Sequence, residues 1–189
     1  MNFKEEEYKK KAEKEILKCR PGDWNHAQRV VKWVKELGTG REDLDLIIIT
    51  AYIHDIGWRD IIKKDRITFD ELLEHEDEAN SNSEKFVTDF LTPLGYSVDE
   101  IQIVNRLIRA ADKHESNESD EEIIVDSDNL SKLDINHMKE KYERSEWIRL
   151  LNRFKKDFPK RIGTEKGKSL LGGLLQSFES SIKKELNIK

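Results

Sequence analysis

One apolar run followed by a His-Asp pair constrains this chain more than any other feature. Almost every residue from Leu44 to Ile53 is hydrophobic, so this segment must be buried on nearly all sides once the chain folds. His54 and Asp55 follow directly, and Gly57 then ends the predicted helix. Burying an unpaired imidazole and carboxylate costs several kcal/mol. A metal ion would satisfy both side chains.

The composition favours helices. The chain has 189 residues, enough for one domain over 1–189 that buries roughly 70% of its unfolded surface. Charged residues make up 39% of it, with nine Gly and three Pro. Amphipathic helices with charged outer faces suit this balance better than a β sandwich, which needs many turns. We therefore predict an all-α fold.

Charge and cysteine content limit the partners and the compartment. The formal net charge of −5 gives no reason to expect nucleic acid or an anionic membrane as a partner. No apolar run approaches the roughly 20 residues of a membrane span, and the charged N-terminal segment does not resemble a signal peptide. Cys19 is the single cysteine, so no internal disulfide can form. We expect a cytoplasmic protein.

Helical periodicity covers most of the chain, with Asp23 as the predicted N-cap of the second helix. The predicted helices are 3–19, 24–37, 42–56, a short piece 69–73, one through 86–91, one from about 97 to 111, and two long helices 131–158 and 164–187. Residues 58–68 are predicted to form a mobile basic loop that carries substrate contacts. Residues 115–122 are predicted to form an acidic loop.

Three separate segments contain residue types that bind divalent metals. His26 lies near a helix start, His54 and Asp55 lie at a helix end, and Asp126 or Asp128 lies far downstream. Mixed imidazole and carboxylate ligands suit Mn, Fe, Co, Ni, Zn or Mg.

In this order, His26–Val30, Ala51–Gly57 and Val125–Leu130 resemble the three-part signature of the HD-domain superfamily of metal-dependent phosphohydrolases. The resemblance covers about 22–135. It implies a single helical HD-type bundle with a C-terminal helical extension over about 136–189. It also implies hydrolysis of a phosphate ester of a small molecule, for example a nucleotide.

The resemblance implies one metal held by His26, His54, Asp55 and Asp128, with Asp126 as second choice for the distal ligand. Asp55 would also act in catalysis by holding or deprotonating a water molecule. Two further positions match histidines of relatives that bind a second metal or contact a phosphate; these are His75 and His114. His137 lies outside the motifs, and we expect it on the solvated surface. Trp58 replaces a Glu of some nucleotidase relatives, so their substrate class is not implied.

Phosphoryl transfer needs fixed cations, because negative charge builds on the phosphoryl oxygens. Arg29, one turn after His26, is the first candidate for a catalytic and phosphate-binding cation. Further candidates come from the basic loop, where Arg59 and Lys63 lead, followed by Lys64 and Arg66. Arg109 and Lys113, near His114, are weaker candidates.

Two other functions remain open from the sequence. Some family members that carry the extra histidines hold two irons and act as oxygenases. A non-catalytic, metal-stabilised module that binds a nucleotide or a protein through its C-terminal helices is the other alternative. One apolar group there could pack on the core or form a homodimer seam; it comprises Leu170, Leu171, Leu174, Leu175 and Phe178.

The segment Gly163–Ser169 resembles a phosphate-binding P-loop without matching it. Three residues separate its glycines where the pattern needs four, and no strand precedes it. We interpret it as a helix start.

Overall fold

The protein is all-α, as predicted. The computed structural model describes residues 3–188, and nine α-helices occupy most of this range. They are α1 (Glu5–Ile16), α2 (Asp23–Leu37), α3 (Leu44–Ile53), α4 (Phe69–Leu91), α5 (Val98–Lys113), α6 (Ser119–Ser131), α7 (Ile135–Lys141), α8 (Trp147–Arg161) and α9 (Glu165–Leu186). Short 3-10 turns lie at Ile56–Trp58, Thr92–Leu94 and Arg144–Glu146.

Helix α3 forms the centre of the bundle. It packs against α1, α2, α5 and α6. All seven residues from Ile47 to Ile53 are buried, including Thr50, whose hydroxyl donates to the Leu46 carbonyl. A helix that is apolar on every side is stable only inside such a bundle. The burial expected for this run is observed from Ile47 to Ile53, whereas Leu44 and Leu46 are half-buried and Asp45 is exposed.

The extensive packing of α2 against both α3 and α6 decides where the polar residues meet. His26 lies in the first turn of α2, Asp128 lies in α6, and His54 directly follows α3. These three helices bring the candidate ligands to one end of α3.

Helix α4 is continuous over Phe69–Leu91, although the sequence predicted two shorter pieces. A capping box of Thr68 and Glu71 begins it. The polar middle remains helical because Ala79 and Ser83 are buried against Gly57. A Cβ atom at Gly57 would lie 2.2 Å from the Ala79 carbonyl oxygen, so this close approach requires glycine.

The predicted acidic loop and the predicted helix 131–158 differ from the structure. Helix α6 begins at Ser119, inside the predicted loop, where the Glu118 and Glu121 side chains form a capping box. The predicted long helix is two helices, because Asp134 caps a new helix and Tyr142 is extended. Tyr142 pairs with Ile67 in an isolated parallel bridge.

The C-terminal helices pack on the bundle, since α8 and α9 contact each other and α6. Leu171 and Phe178 are buried, and Leu174 and Leu175 pack partly buried against the core. The apolar residues of α9 therefore cover the core. In the part of the chain that the structure describes, no helix has the length and apolar character needed to cross a membrane.

Candidate metal centre

Three buried donor groups meet where α2, α3 and α6 converge. The Nε2 atom of His26 lies 3.1 Å from Asp128 Oδ1 and 3.2 Å from His54 Nε2. His54 Nε2 lies 3.7 Å from Asp128 Oδ1. Metal–nitrogen bonds of roughly 2.0–2.1 Å place neighbouring ligand atoms about 3–3.5 Å apart. This group could hold a metal ion.

The hydrogen bonds of the two imidazoles orient their lone pairs toward one point. His54 Nδ1 lies 2.9 Å from the Ala51 carbonyl oxygen, which can only accept, so Nδ1 carries the proton. The Ser131 hydroxyl donates to the Asp128 carbonyl at 2.8 Å and accepts from His26 Nδ1 at 3.2 Å. In this tautomer both Nε2 atoms are unprotonated, as metal ligation requires. Such supporting hydrogen bonds are typical of histidine ligands.

Asp55 adds a fourth donor. Its Oδ1 atom forms an ion pair with Arg20 Nη2 at 2.8 Å. Within residues 3–188, its Oδ2 atom is buried without a hydrogen-bond partner and lies 3.6 Å from His54 Nε2 and 3.9 Å from His26 Nε2. An orphaned carboxylate oxygen beside two imidazole lone pairs fits a cation. The residues present therefore fit the divalent metal that the motif implies.

Asp126 has a different role. Its carboxylate accepts from the backbone N–H groups of Gly163 and Thr164 at 2.8 and 2.9 Å, and from the Thr164 hydroxyl at 2.6 Å. These contacts anchor the start of α9 to α6. The structure thus brings Asp128, rather than Asp126, to the cluster. The P-loop-like segment binds a carboxylate of its own chain.

Three cations that the sequence analysis missed line the cavity beside the cluster. Lys132 Nζ lies 2.6 Å from Asp128 Oδ2, Lys141 Nζ lies 3.5 Å from Asp55 Oδ2, and Arg20 binds Asp55 Oδ1. Lys132 follows Asp128 by four residues, which is a readable helical pairing signal. No comparable signal links Arg20 or Lys141 to Asp55, because Asp55 is distant in sequence from both.

Asp23 holds two of these cations in place and is not the predicted N-cap. It is the first residue of α2, fully buried, and its carboxylate accepts from the backbone and side chain of Arg20 and pairs with Lys141. Gly22 occupies the cap position with a φ of 81°. The Arg20 guanidinium stacks 3.8 Å above the ring of the buried Trp58.

The cations also decide the ionisation of the carboxylates. Burial opposes ionisation of Asp55, but Arg20 and Lys141 hold its pKa well below the usual range. Burial likewise opposes ionisation of Asp128, and Lys132 and His26 bring its pKa well below the usual range. Burial lowers the pKa of His26 to about 3, although the Asp128 carboxylate, 3.1 Å from its Nε2 atom, acts the other way. At neutral pH the cluster therefore offers anionic carboxylates and a neutral His26.

The cations predicted from sequence do not line this cavity. Arg29 binds Glu140 of α7 at 2.9 Å. Arg59 binds Glu15 at 2.9 Å and lines a separate groove with α1. Lys63 is largely exposed and lies 3.7 Å from the Asp60 carboxylate. Two other loop cations bind locally, Lys64 to Glu71 and Arg66 to the Lys139 carbonyl.

The loop itself is held by the chain that follows α7. Ile67 donates its N–H to the Lys141 carbonyl and accepts from the Glu143 N–H. Trp58 belongs to a buried 3-10 turn instead of this loop. These contacts place the loop cations away from the cluster.

The remaining histidines occupy three different environments. His75 is 37% exposed on α4, where it lies 3.7 Å from Glu78, and it does not line the cavity. His114 lines the cavity, with Nδ1 4.0 Å from Asp128 Oδ2, and burial lowers its pKa to about 3. His137 is only 1% exposed and also lines the cavity. The prediction of a surface position for His137 was wrong, because α7 packs that residue against α2.

The cavity above the cluster is small, with a volume of about 90 Å³. Helix α4 contributes Leu72, Glu76 and Asn80 to its wall, and α5 contributes Asp112. Burial and the neighbouring Asp55 raise the pKa of Asp112 to about 8. The wall is thus mainly polar.

Comparisons with models of known protein families, with curated proteins and with solved structures gave no match to this chain. The function of the protein is therefore inferred from the geometry of the cluster and from the resemblance of the sequence motifs.

Proposed function

We propose that the protein is a metal-dependent phosphohydrolase of the HD-domain superfamily that hydrolyses a phosphate ester of a small molecule, such as a nucleotide. One observation carries the proposal. The motif residues His26, His54 and Asp128, spread over more than a hundred residues of sequence, offer three donor atoms that could hold one ion, and Asp55 Oδ2 lies 3.6 Å from His54 Nε2. This donor set suits Mn, Fe, Co, Ni, Zn or Mg.

Each part of the site has a defined task in this proposal. A divalent ion held by these four residues would lower the pKa of a coordinated water and polarise a phosphoryl oxygen. The carboxylate of Asp55 accepts a proton from, or orients, the attacking water. Lys132 and Lys141 replace Arg29 and Arg59 as the cations that stabilise negative charge on the phosphoryl oxygens, because they line the cavity.

The cavity limits what enters it. Pockets that enclose drug-sized ligands have volumes of roughly 300–1,000 Å³, whereas this cavity has about 90 Å³. A phosphoryl group fits this space, and the organic part of the ester would extend beyond it. The only cysteine, Cys19, is a buried free thiol, which suits a protein of the reducing cytoplasm.

The test is hydrolysis of a panel of phosphomonoesters and phosphodiesters with several divalent metals. Chelation, His54→Ala and Asp55→Ala should each abolish activity, while Asp70→Ala, on the exposed face of α4, should retain it. Activity that survives chelation and both site substitutions would contradict the proposal. Metal analysis of protein purified without added metal is the second measurement, because two irons per chain would favour an oxygenase.

A further inference from the structure

His137 is a buried polar side chain that the proposed hydrolysis does not use. It is 1% exposed, and neither ring nitrogen has a hydrogen-bond partner in the part of the chain that the structure describes. Buried polar groups are almost always paired. Because this ring lies on the wall of the cavity, its nitrogens are available to a molecule that enters the cavity.

His137 lies beside the candidate metal centre, where the proposed substrate would bind. Its ring centroid lies 4.9 Å from that of the ligand candidate His26 and 5.7 Å from that of Tyr142. It does not belong to the cluster of donor atoms that could share one ion, which comprises His26, His54 and Asp128. His137 therefore borders the metal centre without being part of it.

Two cations flank the same wall. Lys141 lies one turn after His137 on α7, and Lys132 reaches the cavity from α6. Each ammonium group is held by a carboxylate, Lys141 by Asp23 and Lys132 by Asp128. The wall thus presents two positioned cations and an unpaired imidazole, which together complement an anion with several acceptor oxygens.

We propose that His137, Lys132 and Lys141 form a phosphoryl-binding subsite in which the His137 ring donates a hydrogen bond to a phosphoryl oxygen. The inference rests on the proposed function and adds a substrate contact outside the HD-type motifs. The ring needs no change of protonation for this role. A neutral imidazole carries one N–H donor.

The test is binding of inorganic phosphate, measured by calorimetry on the full-length chain loaded with Zn²⁺. His137→Phe keeps a ring but removes both nitrogens, and it should weaken phosphate binding about tenfold, the effect of losing one hydrogen bond to a charged group. His137→Gln keeps a donor and an acceptor and should bind more tightly than His137→Phe. Asn136→Ala, the exposed neighbour on α7, is the matched control and should bind as the wild type does.

Two results would overturn the subsite: wild-type phosphate affinity in a folded His137→Phe protein, or loss of Zn²⁺ from it, which would make His137 a metal ligand. If His137→Phe does not fold, the test uses NMR spectra of the Zn²⁺-loaded wild type labelled with ¹⁵N-histidine. The His137 ring signal, assigned by its loss in His137→Gln, should shift as phosphate is added. A signal that stays unmoved at saturating phosphate would also overturn the subsite.

The two proposals fail separately. If phosphate binds through His137 but no ester in the panel is hydrolysed, the subsite stands and the hydrolase proposal fails. If esters are hydrolysed and His137→Phe has the phosphate affinity of the wild type, the hydrolase stands and the subsite fails.

Discussion

The Nε2 atoms of His26 and His54 lie 3.2 Å apart, and no proton lies between them in the tautomer in which His54 Nδ1 donates to Ala51 and His26 Nδ1 donates to Ser131. Two facing lone pairs at this distance repel each other unless a cation lies between them. Asp55 Oδ2 and Asp128 Oδ1 flank the same point. In that tautomer, a divalent ion at this point would remove the repulsion between the two lone pairs.

Divalent metal should stabilise the folded protein. A metal at about one hundred times its dissociation constant adds about 2.7 kcal/mol to the free energy of unfolding, which raises the Tm of a protein of this size by about 5–10 °C. Thermal unfolding with and without EDTA measures this change. His54→Ala should unfold at the same temperature in both buffers. Equal Tm values for the wild type in both buffers would argue against a metal centre.

Asp126 and Asp128 should respond differently to the same substitution. Asp128→Asn should lose metal binding and remain folded. Asp126→Asn should keep the metal and lose about 2–3 kcal/mol of stability, because the start of α9 loses its carboxylate acceptor. Metal stoichiometry and urea unfolding of both variants test this. Loss of metal in Asp126→Asn with retention in Asp128→Asn would reverse the assignment.

Asp23→Ala should destabilise the protein strongly. The substitution leaves the buried cations Arg20 and Lys141 without their shared carboxylate, at a cost of about 3–5 kcal/mol. The exposed ion pair of Asp70 with Arg149 is the matched control, and Asp70→Ala should change stability by less than about 0.5 kcal/mol. Urea unfolding measures both. Similar small effects would show that the buried network is dispensable.

Gly57→Ala should cost about 3 kcal/mol. Its Cβ atom would lie 2.2 Å from the Ala79 carbonyl oxygen and 2.4 Å from Ser83 Oγ, so α4 would have to move away from the 3-10 turn. Gly172→Ala is the control, because a Cβ atom at this α9 position meets nothing within 4 Å. It should gain about 0.5–1 kcal/mol from helix propensity. Equal effects of the two substitutions would contradict the close packing at Gly57.

The metal-free protein should be most stable near neutral pH. Burial lowers the pKa of His26 and His114 to about 3, so below about pH 6.5 the unfolded state binds more protons and stability falls as the pH falls. Burial raises the pKa of Asp112 to about 8, so between about pH 4 and 8 the folded state binds its proton and stability falls as the pH rises. Below about pH 6.5 the histidines outweigh this single carboxyl group.

Urea unfolding in EDTA at pH 5, 6.5 and 8 measures this dependence. His114→Asn should remove about 1.4 kcal/mol per pH unit from the loss of stability between pH 6 and pH 5. An unchanged slope in that variant would contradict the neutral, buried state of His114.

Local patterns predicted most of the helices. The period of the apolar residues predicted α1, α2 and α5, because each of these helices buries a face that repeats every 3.6 residues, and the continuous apolar run predicted α3. Helix α4 and the break between α7 and α8 were predicted wrongly. In both cases a contact between residues distant in sequence sets the extent of the helix. Gly57 packs against Ala79 of α4, and Ile67 pairs with Tyr142 after α7.

For the candidate site, the sequence by itself determined the donor types and the buried run that ends in His54 and Asp55, since burial of a polar pair is a local requirement. The packing of α2, α3 and α6 decided that Asp128 joins the cluster while Asp126 binds Gly163 and Thr164 before α9, although the two residues are only two apart. The packing of α7 against α2 buried His137 and brought Lys141 to Asp23 and Asp55, which Arg20 also contacts. The positions of these side chains depend on which helices pack against each other. Contacts between helices distant in sequence leave no local pattern in a single sequence.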